Sequence, residues 1–236
     1  MNTMQNQIRL FETVEGECPY LEGKQNASVF IDPEYPIDDE LFSLLSRSGF
    51  RRSGEMLYAP KCPSCQACVS VRIPVQQFQF SRSQRRIWNK NSDLSVTIED
   101  VCFKPEHFEL YLNYQRARHS DSSMCDDDPE KYQEFIDSSF SRSKFVCFYH
   151  QERLIGISVV DQFKGGLSAV YTFFDPQESK RSLGTYSILY LIKLAQMKAI
   201  PYLYLGYWIE DSPKMAYKIN FRPLEGYSNR RWHPLA

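Results

Sequence analysis

The sequence predicts a mixed α/β (α+β) fold with two domains, and three observations support this prediction. Hydrophobic residues make up 42% of the 236 residues, which is enough for one large core or two modest ones. Strand-like alternation and helix-like spacing follow one another along the chain, in an order typical of a layered α/β domain rather than a sandwich or a helical bundle. Near residue 92 the chain changes from cysteine-rich, basic sequence to regular alternation. We therefore expect an N-terminal domain over residues 1–92 and a second domain over residues 93–236.

In the first predicted domain, one helix and two strands precede a basic helix. Leu41, Leu44 and Leu45 recur at helical spacing after acidic residues, and Gly49 is a typical helix stop. The stretches "EMLYAP" and "CVSVRIPV" alternate like strands on either side of a cysteine loop. A turn then leads into a short basic helix within "FSRSQRRIWNKN".

The second predicted domain is more regular. A strand, "SVTIED", is followed by helices within "KPEHFELYLNYQRARHS" and "EKYQEFIDSSF". Residues 144–176 read as three strands with tight turns at 150–153 and 164–166. The chain then continues with an amphipathic helix, "RSLGTYSILYLIKLAQMKAI", a strand, "YLYLGYW", a helix, "SPKMAYKIN", and a terminal strand or extended tail.

Composition favours a folded protein that stays in the cytoplasm. Lysines interrupt the apolar stretches before they reach the roughly 18 residues of a membrane-spanning helix, and the N-terminus lacks a basic flank and an apolar signal core. The 7 cysteines are an odd number and unevenly spaced, which disfavours a secreted disulfide framework. We therefore expect no membrane association and reduced thiols.

Basic residues are concentrated locally although the net charge is only −1. The stretch from Arg72 to Ser92 contains no acidic residue. Its basic helix carries Arg82, Arg85, Arg86 and Lys90. Such a patch attracts a polyanion, and a solvated helix face is the alternative interpretation.

The cysteine loop is the most distinctive motif. Cys62, Cys65 and Cys68 form a C-x-x-C-x-x-C run, and Cys18 supplies a fourth thiolate if the fold brings it close. Four thiolates match the tetrahedral coordination of zinc or the ligation of an iron–sulfur cluster. No second C-x-x-C or C-x-x-H follows to complete a zinc ribbon. A structural metal or cluster and a loop of reduced thiols both stay open.

A candidate phosphate-binding turn occurs where a strand is predicted to end and a helix to begin. It consists of Arg181, Ser182, Leu183 and Gly184. Free backbone N–H groups and the helix dipole favour a phosphate there. The R-x-x-G pattern resembles the beginning of the pyrophosphate-binding loop of the N-acetyltransferase superfamily, which implies an N-acetyltransferase-like second domain. Tyr186 replaces the small residue of that loop, which counts against acetyl-CoA as donor. An ordinary helix cap is the alternative.

Longer stretches carry a second resemblance. "ECPY", "YAPKCPSCQACVSVRIPV", "YTFFDP", "KRSLGTYSILYLI" and "PYLYLGYWIEDSPKMAYKINFRPLE" together resemble the arginyl-tRNA–protein transferase family over about residues 17–226. The chain length and the spaced cysteines are similar to the bacterial branch that transfers leucine rather than to the longer eukaryotic enzymes. Leu21 occupies the place of a second N-terminal cysteine found in the eukaryotic enzymes.

The resemblance implies a reaction and its partners. Leucine passes from leucyl-tRNA to the α-amine of proteins that begin with Asp or Glu, which creates an N-degron for the N-end rule degradation pathway. The donor is already an activated ester, and an α-amine has a pKa of about 7.7 to 8.0. The chemistry therefore requires no cofactor and no covalent nucleophile. Positioning and backbone N–H groups that stabilise the oxyanion supply much of the acceleration.

The resemblance also suggests roles for particular residues. Contacts to tRNA phosphates are expected from Arg82, Arg85, Arg86 and Lys90. The 3′-terminal nucleotide is expected to lie against Arg181, Ser182, Leu183, Gly184 and Thr185. Arg72 and Arg118 are unranked candidates for binding the acceptor carboxylate, because a guanidinium binds a carboxylate in a bidentate manner. The reaction centre is expected to be lined by Tyr171, Asp175, Tyr207 and Asp211. Core packing of the tyrosines and helix capping by the aspartates are the alternatives.

Three rival functions stay open at this point. The donated residue is arginine if the donor pocket contains an acid, and leucine if its walls are apolar. A CoA-dependent N-acetyltransferase of the same fold binds CoA measurably. A metal-dependent nucleic-acid-binding module loses its fold when a chelator removes the metal.

Overall fold

The computed structural model describes residues 8–118 and 127–235, which form three β-sheets and a set of helices. The α-helices of this part of the chain are α1 (Asp39–Arg47), α2 (Arg82–Lys90), α3 (Pro105–Arg118), α4 (Pro129–Ile136) and α5 (Leu183–Met197). The strands are β1 (Leu10–Glu12), β2 (Gly16–Glu17), β3 (Gln25–Asn26), β4 (Ser28–Ile31), β5 (Arg51–Ser53), β6 (Met56–Pro60), β7 (Val69–Pro74), β8 (Leu94–Asp100), β9 (Arg142–His150), β10 (Arg153–Phe163), β11 (Gly166–Phe174), β12 (Tyr202–Trp208), β13 (Glu225–Ser228) and β14 (Arg231–Pro234). Short 3-10 helices occupy Val75–Gln77, Pro176–Arg181 and Ala216–Asn220. The predicted mixed α/β class is confirmed.

The molecule is organised by an eight-stranded sheet in the order β14-β13-β7-β12-β11-β10-β9-β8. Neighbouring strands are antiparallel except β11 and β12, which are parallel and are connected through α5. Strand β7 pairs with β12 on one side and with β13 on the other. A strand from the first 92 residues thus lies inside the large sheet. The domain division between residues 92 and 93 stays a prediction.

Two smaller sheets are built from the N-terminal strands. Strands β1, β4, β6 and β5 form a four-stranded sheet in that order, and β2 pairs with β3. Strand β6 was predicted as a strand, whereas the very short strands β1 to β4 were not. The C-terminal end of β6 leads directly into the cysteine loop, which in turn leads into β7.

Helices cover both faces of the large sheet. Helix α5 packs one face, where Leu189 and Ile192 meet Val71 and Leu203 in a fully buried cluster. On the opposite face, α3 and α4 cover one half of the sheet. Helix α1 covers the other half, where Phe42 packs against Phe163 at 5.6 Å between ring centroids.

Local sequence explains where the helices begin. The Asp38 carboxylate accepts hydrogen bonds from the first-turn amides of α1, and Ser81 forms a capping box with Gln84 at α2. The predicted helix of residues 212–220 is wrong in extent, because only a 3-10 helix forms at Ala216–Asn220. Leu44 was expected on the apolar face of α1 but is 53% exposed. No helix of the described residues combines the length and the apolar character required to cross a membrane.

A buried ion pair joins the small N-terminal sheet to the large one. On β5, the Arg52 guanidinium binds Asp161 of β10 through two hydrogen bonds, of 2.6 and 2.9 Å, and each side chain is 1% exposed. Arg52 also donates to the carbonyl oxygen of Ile136 and to the Ser143 hydroxyl, both at 3.0 Å. The pair therefore connects β5, the end of α4, β9 and β10.

Replacing Arg52 should destabilise the whole fold. In Arg52→Met, Asp161 stays buried without its counter-ion, and we expect the free energy of unfolding to fall by about 3 to 5 kcal/mol. Urea denaturation measures this loss.

Lys61→Met is the matched control, because Lys61 pairs with Glu12 and both side chains are 58% exposed. Its effect should stay below about 1 kcal/mol. Equal losses in the two variants would contradict the anchoring role of Arg52.

Candidate functional site

The parallel strands β11 and β12 lie in the middle of the large sheet. Their carboxyl ends lie on the same side of the sheet as the beginning of α5, the helix that connects them. Within the described residues, β11 and β12 pair only at Leu167 with Leu203 and at Ser168 with Tyr204, although both strands continue beyond these pairs. In open α/β sheets, ligands bind at the carboxyl ends of strands that separate in this way. We call this place the strand opening and describe the predicted site residues around it.

On the β11 side, the structure gives the two predicted residues mainly structural contacts. The Tyr171 ring packs against Phe135, with 5.2 Å between ring centroids, and burial is the main cause that raises the pKa of Tyr171. The Asp175 carboxylate accepts a hydrogen bond from the Gln177 amide at 2.9 Å and pairs with Arg153. Their predicted roles in the reaction centre stay predictions.

On the β12 side, Tyr207 reaches the N-terminal part of the chain. Its hydroxyl donates to the carbonyl oxygen of Gly49 at 3.0 Å, and Tyr58 offers its carbonyl oxygen at 3.3 Å. Burial raises the pKa of Tyr207, and the nearby Arg51 lowers it to a smaller extent. Asp211 is exposed beyond the end of β12. Tyr171 and Tyr207 therefore lie on opposite sides of the strand opening.

The predicted phosphate-binding turn leads into α5 as expected, but Arg181 is already paired. Its guanidinium binds Asp93 through two contacts of 2.9 Å and Glu178 through one of 2.9 Å. Ser182 adopts a left-handed backbone conformation with φ of 55°, and Leu183 is buried in the core. Gly184 and Thr185 follow in the first turn of the helix, where the Thr185 amide already donates to the Ser182 carbonyl oxygen at 3.0 Å.

The basic helix α2 lies beside this turn. Asn91, which follows α2, donates to the carbonyl oxygen of Arg181 at 2.9 Å, and Lys90 donates to that of Lys180 at 2.9 Å. The four predicted tRNA-binding residues, Arg82, Arg85, Arg86 and Lys90, are all exposed. None of them forms an ion pair with another described residue. The structure thus brings together the two groups predicted to contact tRNA.

The two arginines considered for the acceptor carboxylate differ in their contacts. The Arg72 side chain pairs with Glu225 at 2.7 Å. Its guanidinium lies 3.6 Å above the Tyr202 ring and 4.2 Å from the Trp232 ring. Arg118 is exposed at the end of α3, and within the described residues it has no ion-pair partner. Arg118 also lowers the pKa of Tyr114, which burial raises.

The four predicted metal-ligating cysteines lie near one another without forming a compact ligand set. Cys18, Cys62, Cys65 and Cys68 are free and half-buried. Burial raises the pKa of the Cys68 thiol to about 11, and the other three thiols add to this rise. Among the described residues, no three of these sulfur atoms meet the 4.8 Å mutual distance expected of a metal site. A metal or cluster at this loop stays a prediction.

A different trio meets that distance. Glu99, His107 and Cys147 bring their ligand atoms within 4.8 Å of one another, at the β8 edge of the large sheet. Glu99 is already paired with Lys104 at 2.7 Å. Burial lowers the pKa of His107 and raises that of Cys147, which keeps both groups neutral. This trio is remote from the strand opening.

Two buried cations near the strand opening were not singled out in the sequence. Lys218 is 6% exposed, and its ammonium donates to the carbonyl oxygen of Tyr207. Arg51 is 8% exposed, and its guanidinium donates to the Ser46 and Phe50 carbonyl oxygens and to the Ser70 hydroxyl. Neither cation pairs with a carboxylate of the described residues. A lone lysine in "MAYKINF" and an arginine in a short strand carry no pattern that reveals burial.

Comparison with known proteins reveals similarity along nearly the whole chain. Residues 16–86 match the family described as arginine-tRNA-protein transferase, N terminus, and residues 106–228 match the corresponding C terminus. The aspartate/glutamate leucyltransferase of Saccharophagus degradans is 44% identical, over 96% of this chain and 97% of its own length. The enzyme of the same name from Nitrosococcus oceani is 47% identical, over 91% of each chain.

The comparison with solved structures finds weaker similarity. The structure of L-PGS from Bacillus licheniformis aligns with a TM-score of 0.48 and 12% identity. The alignment covers 74% of this chain and 54% of that one.

Removing the buried amine of Lys218 should stabilise the protein, most strongly at low pH. Burial lowers the pKa of Lys218 to about 7, and the neighbouring Arg51 contributes, whereas an unfolded lysine titrates near 10.4. Below pH 7 the folded protein carries the full cost of burying a charge. Between pH 7 and about 10 only the unfolded chain holds the proton, so this cost declines as pH rises.

We therefore expect Lys218→Met to raise the melting temperature at pH 6, and the gain to shrink at pH 9. A gain of about 2 kcal/mol corresponds to about 4–8 °C in a chain of this size. Differential scanning calorimetry at the two pH values measures the effect, with the exposed Lys214→Met as control. A gain that does not depend on pH would contradict the lowered pKa.

Proposed function

The chain belongs to the arginine-tRNA-protein transferase family, and from this premise we propose that it transfers leucine from leucyl-tRNA to the α-amine of proteins that begin with Asp or Glu. The observation that carries this function is the identity of 42–47% to relatives named aspartate/glutamate leucyltransferase, over 91% or more of this chain. The product begins with leucine, which marks it for degradation through the N-end rule pathway. The proposal places the chain in the cytoplasm, where leucyl-tRNA is available.

The reaction converts an ester into an amide. The acceptor nitrogen forms a bond to the leucyl carbonyl carbon, the ester bond to the ribose oxygen breaks, and that oxygen gains a proton. An α-amine has a pKa of about 7.7 to 8.0, so roughly a tenth or more is neutral at pH 7. Holding this amine against the ester is worth much of the acceleration. No step of this proposal requires a metal or another cofactor.

We assign the acceptor arm and the 3′-terminal nucleotide of leucyl-tRNA to neighbouring surfaces. The exposed basic residues of α2 suit phosphate contacts, because such contacts need charge and access rather than a fixed partner. The beginning of α5, from Arg181 to Thr185, suits the terminal nucleotide, because the positive end of a helix dipole favours a phosphate. The proximity of α2 to this turn supports the joint assignment.

The finer fold assignment is an N-acetyltransferase-like second domain. The parallel pair β11 and β12, which separates beside the beginning of α5, supports it. The side chain of Tyr186 fills the space beside this turn, with its ring 5.5 Å from both Trp88 and Phe148. This packing favours an aminoacyl-tRNA donor over CoA.

For the acceptor carboxylate the proposal selects Arg118 over Arg72. A guanidinium that already pairs with Glu225 and stacks on two rings has little capacity for a second carboxylate. Arg118 is exposed and has no ion-pair partner among the described residues, so its guanidinium is available for bidentate binding. Tyr171, Asp175, Tyr207 and Asp211 remain the proposed lining of the reaction centre.

The direct test is transfer of labelled leucine or arginine from its tRNA to peptides that begin with Asp, Glu, Asn, Lys or Ala. We expect leucine on Asp and Glu peptides only, at equal rates with and without a chelator. In Arg118→Gln, the preference for Asp over Asn should fall by at least about tenfold, because a charge-assisted hydrogen bond contributes about 1.5–3 kcal/mol.

Arg116→Gln is the control, since Arg116 is exposed on the same helix and pairs with Asp127 at 3.0 Å. If only arginine is transferred, the donor is arginyl-tRNA and not leucyl-tRNA. Absence of transfer from both tRNAs would overturn it. An unchanged preference in Arg118→Gln would remove only the assignment of Arg118.

Substitutions on α2 should weaken tRNA binding and also reduce the dependence of binding on salt concentration. In the variant with Arg82, Arg85 and Arg86 all replaced by Gln, each lost phosphate contact should reduce the slope of log K against log salt by about 0.7 to 0.9. Filter binding of leucyl-tRNA between about 50 and 200 mM salt measures the slope. Lys164→Gln, an exposed lysine in the turn where β11 begins, should leave the slope unchanged. An equal slope in both variants would place the tRNA elsewhere.

A further inference from the structure

Lys218 occupies an unusual position at the carboxyl end of β12. Its ammonium nitrogen donates to the carbonyl oxygen of Tyr207 and lies 3.3 Å from the Met215 sulfur. A lysine ammonium has three N–H donors, so a weak sulfur acceptor and a single carbonyl leave it incompletely satisfied. A buried charge without a carboxylate partner is costly, and proteins generally avoid it outside functional sites.

The backbone of β12 is shaped to admit this side chain. The pairing register of β12 with β7 shifts between Tyr204 and Gly206, and Gly206 has a positive φ of 77°. A Cβ atom at Gly206 would lie 3.8 Å from the Lys218 nitrogen. The irregular backbone therefore lies directly against the amine, at the strand opening.

We propose that Lys218 is the proton acceptor of the transfer reaction, taking a proton from the α-ammonium group of the acceptor protein. This role rests on the proposed function and identifies a catalytic residue within it. The inference depends on the buried position of the amine, which has no carboxylate partner among the described residues, and on its place at the strand opening.

The charges around Lys218 agree with this role. Burial is the main cause that lowers the pKa of Lys218 to about 7, Arg51 lowers it further, and Cys68 acts in the opposite direction. Tyr207 is the other titratable residue that contacts Lys218, and the contact is made by its backbone carbonyl oxygen. About half of Lys218 is therefore neutral at pH 7 and able to accept a proton. Because its pKa lies near the working pH, the ammonium form of Lys218 also gives this proton up readily.

The proton balance is complete without a co-reactant. Neutral Lys218 takes one proton from the α-ammonium, and the resulting amine forms the bond to the leucyl carbonyl carbon. As the ester bond breaks, the Lys218 ammonium gives its proton to the ribose oxygen. Lys218 then accepts the second proton from the acceptor nitrogen and releases it to solvent. The products are the amide, the free tRNA 3′ end and one proton.

Other groups near the strand opening are poorer proton acceptors at neutral pH. Burial raises the pKa of Tyr171 and of Tyr207, so both phenols stay protonated. The Cys68 thiol, with a pKa raised to about 11, also stays protonated. The Asp175 carboxylate is held by Arg153 and by a backbone amide.

The test compares two acceptors that differ in the first proton transfer, the removal of a proton from the α-ammonium group. One peptide begins with Asp, and the other carries an aminooxy group in place of the α-amine of Asp. An aminooxy group is a far weaker base than an amine and is neutral at pH 7, so it has no ammonium proton to lose. We expect Lys218→Met to slow leucine transfer to the amine by about 10²- to 10⁴-fold, and transfer to the aminooxy peptide by less than about tenfold.

Two further variants complete the experiment. Lys218→Arg should be as slow as Lys218→Met with the amine, because a guanidinium keeps its proton. Lys214→Met, an exposed lysine in the same segment, should equal the wild type with both acceptors. The ratio of the two rates within one variant does not depend on how much of the protein is folded.

The outcomes separate this proposal from the proposed function. If wild-type protein transfers leucine, but Lys218→Met slows both acceptors equally or Lys218→Arg retains the wild-type rate with the amine, Lys218 is structural and this inference is overturned alone. If the wild type transfers leucine to neither acceptor, the proposed function is overturned together with it.

Discussion

The ion pair between Arg52 and Asp161 is the interaction on which the arrangement of the site depends. Successive side chains of a strand point to opposite faces. When Arg52 is held on one face of β5 by Asp161, the neighbouring Arg51 is directed to the other face, where it meets Ser70 of β7 and the ring of Tyr207. One buried arginine is neutralised and fastens the small sheet to the large one. The preceding residue, Arg51, keeps its charge beside Lys218.

Strand β7 places the N-terminal part of the chain in this same location. Because β7 pairs with both β12 and β13, the cysteine loop that precedes it is held against the carboxyl end of β12. Cys68 is consequently near enough to Lys218 to influence its pKa, which burial lowers. The residues around the strand opening therefore come from both family regions, 16–86 and 106–228, and neither region alone assembles them.

The regular parts of the fold could be predicted because their signals are local. The stretch "YLYLGYW" is β12 from its first residue to its last, and the turns of the β9 to β11 meander lie where they were predicted. The site was harder to predict because its electrostatics depend on distant partners. Arg72 and Arg181 look like free cations in the sequence, yet Arg72 pairs with Glu225 and Arg181 pairs with Asp93, in addition to the nearby Glu178. Glu225 and Asp93 lie far away along the chain. The burial of Lys218 likewise depends on β5 and β12, which no local pattern around Lys218 reveals.

The proposed role of Lys218 also connects acceptor choice to proton transfer. The positive charge of Arg51 favours the neutral form of Lys218, and the same potential favours loss of a proton from an incoming α-ammonium. It disfavours acceptors that begin with Lys or Arg, which would bring a second cation into the buried region. An acceptor that begins with Asp or Glu brings a carboxylate that offsets this repulsion before its amine is deprotonated. Arg51, which has no carboxylate partner among the described residues, therefore favours acidic acceptors and keeps Lys218 neutral, although burying its charge costs folding stability.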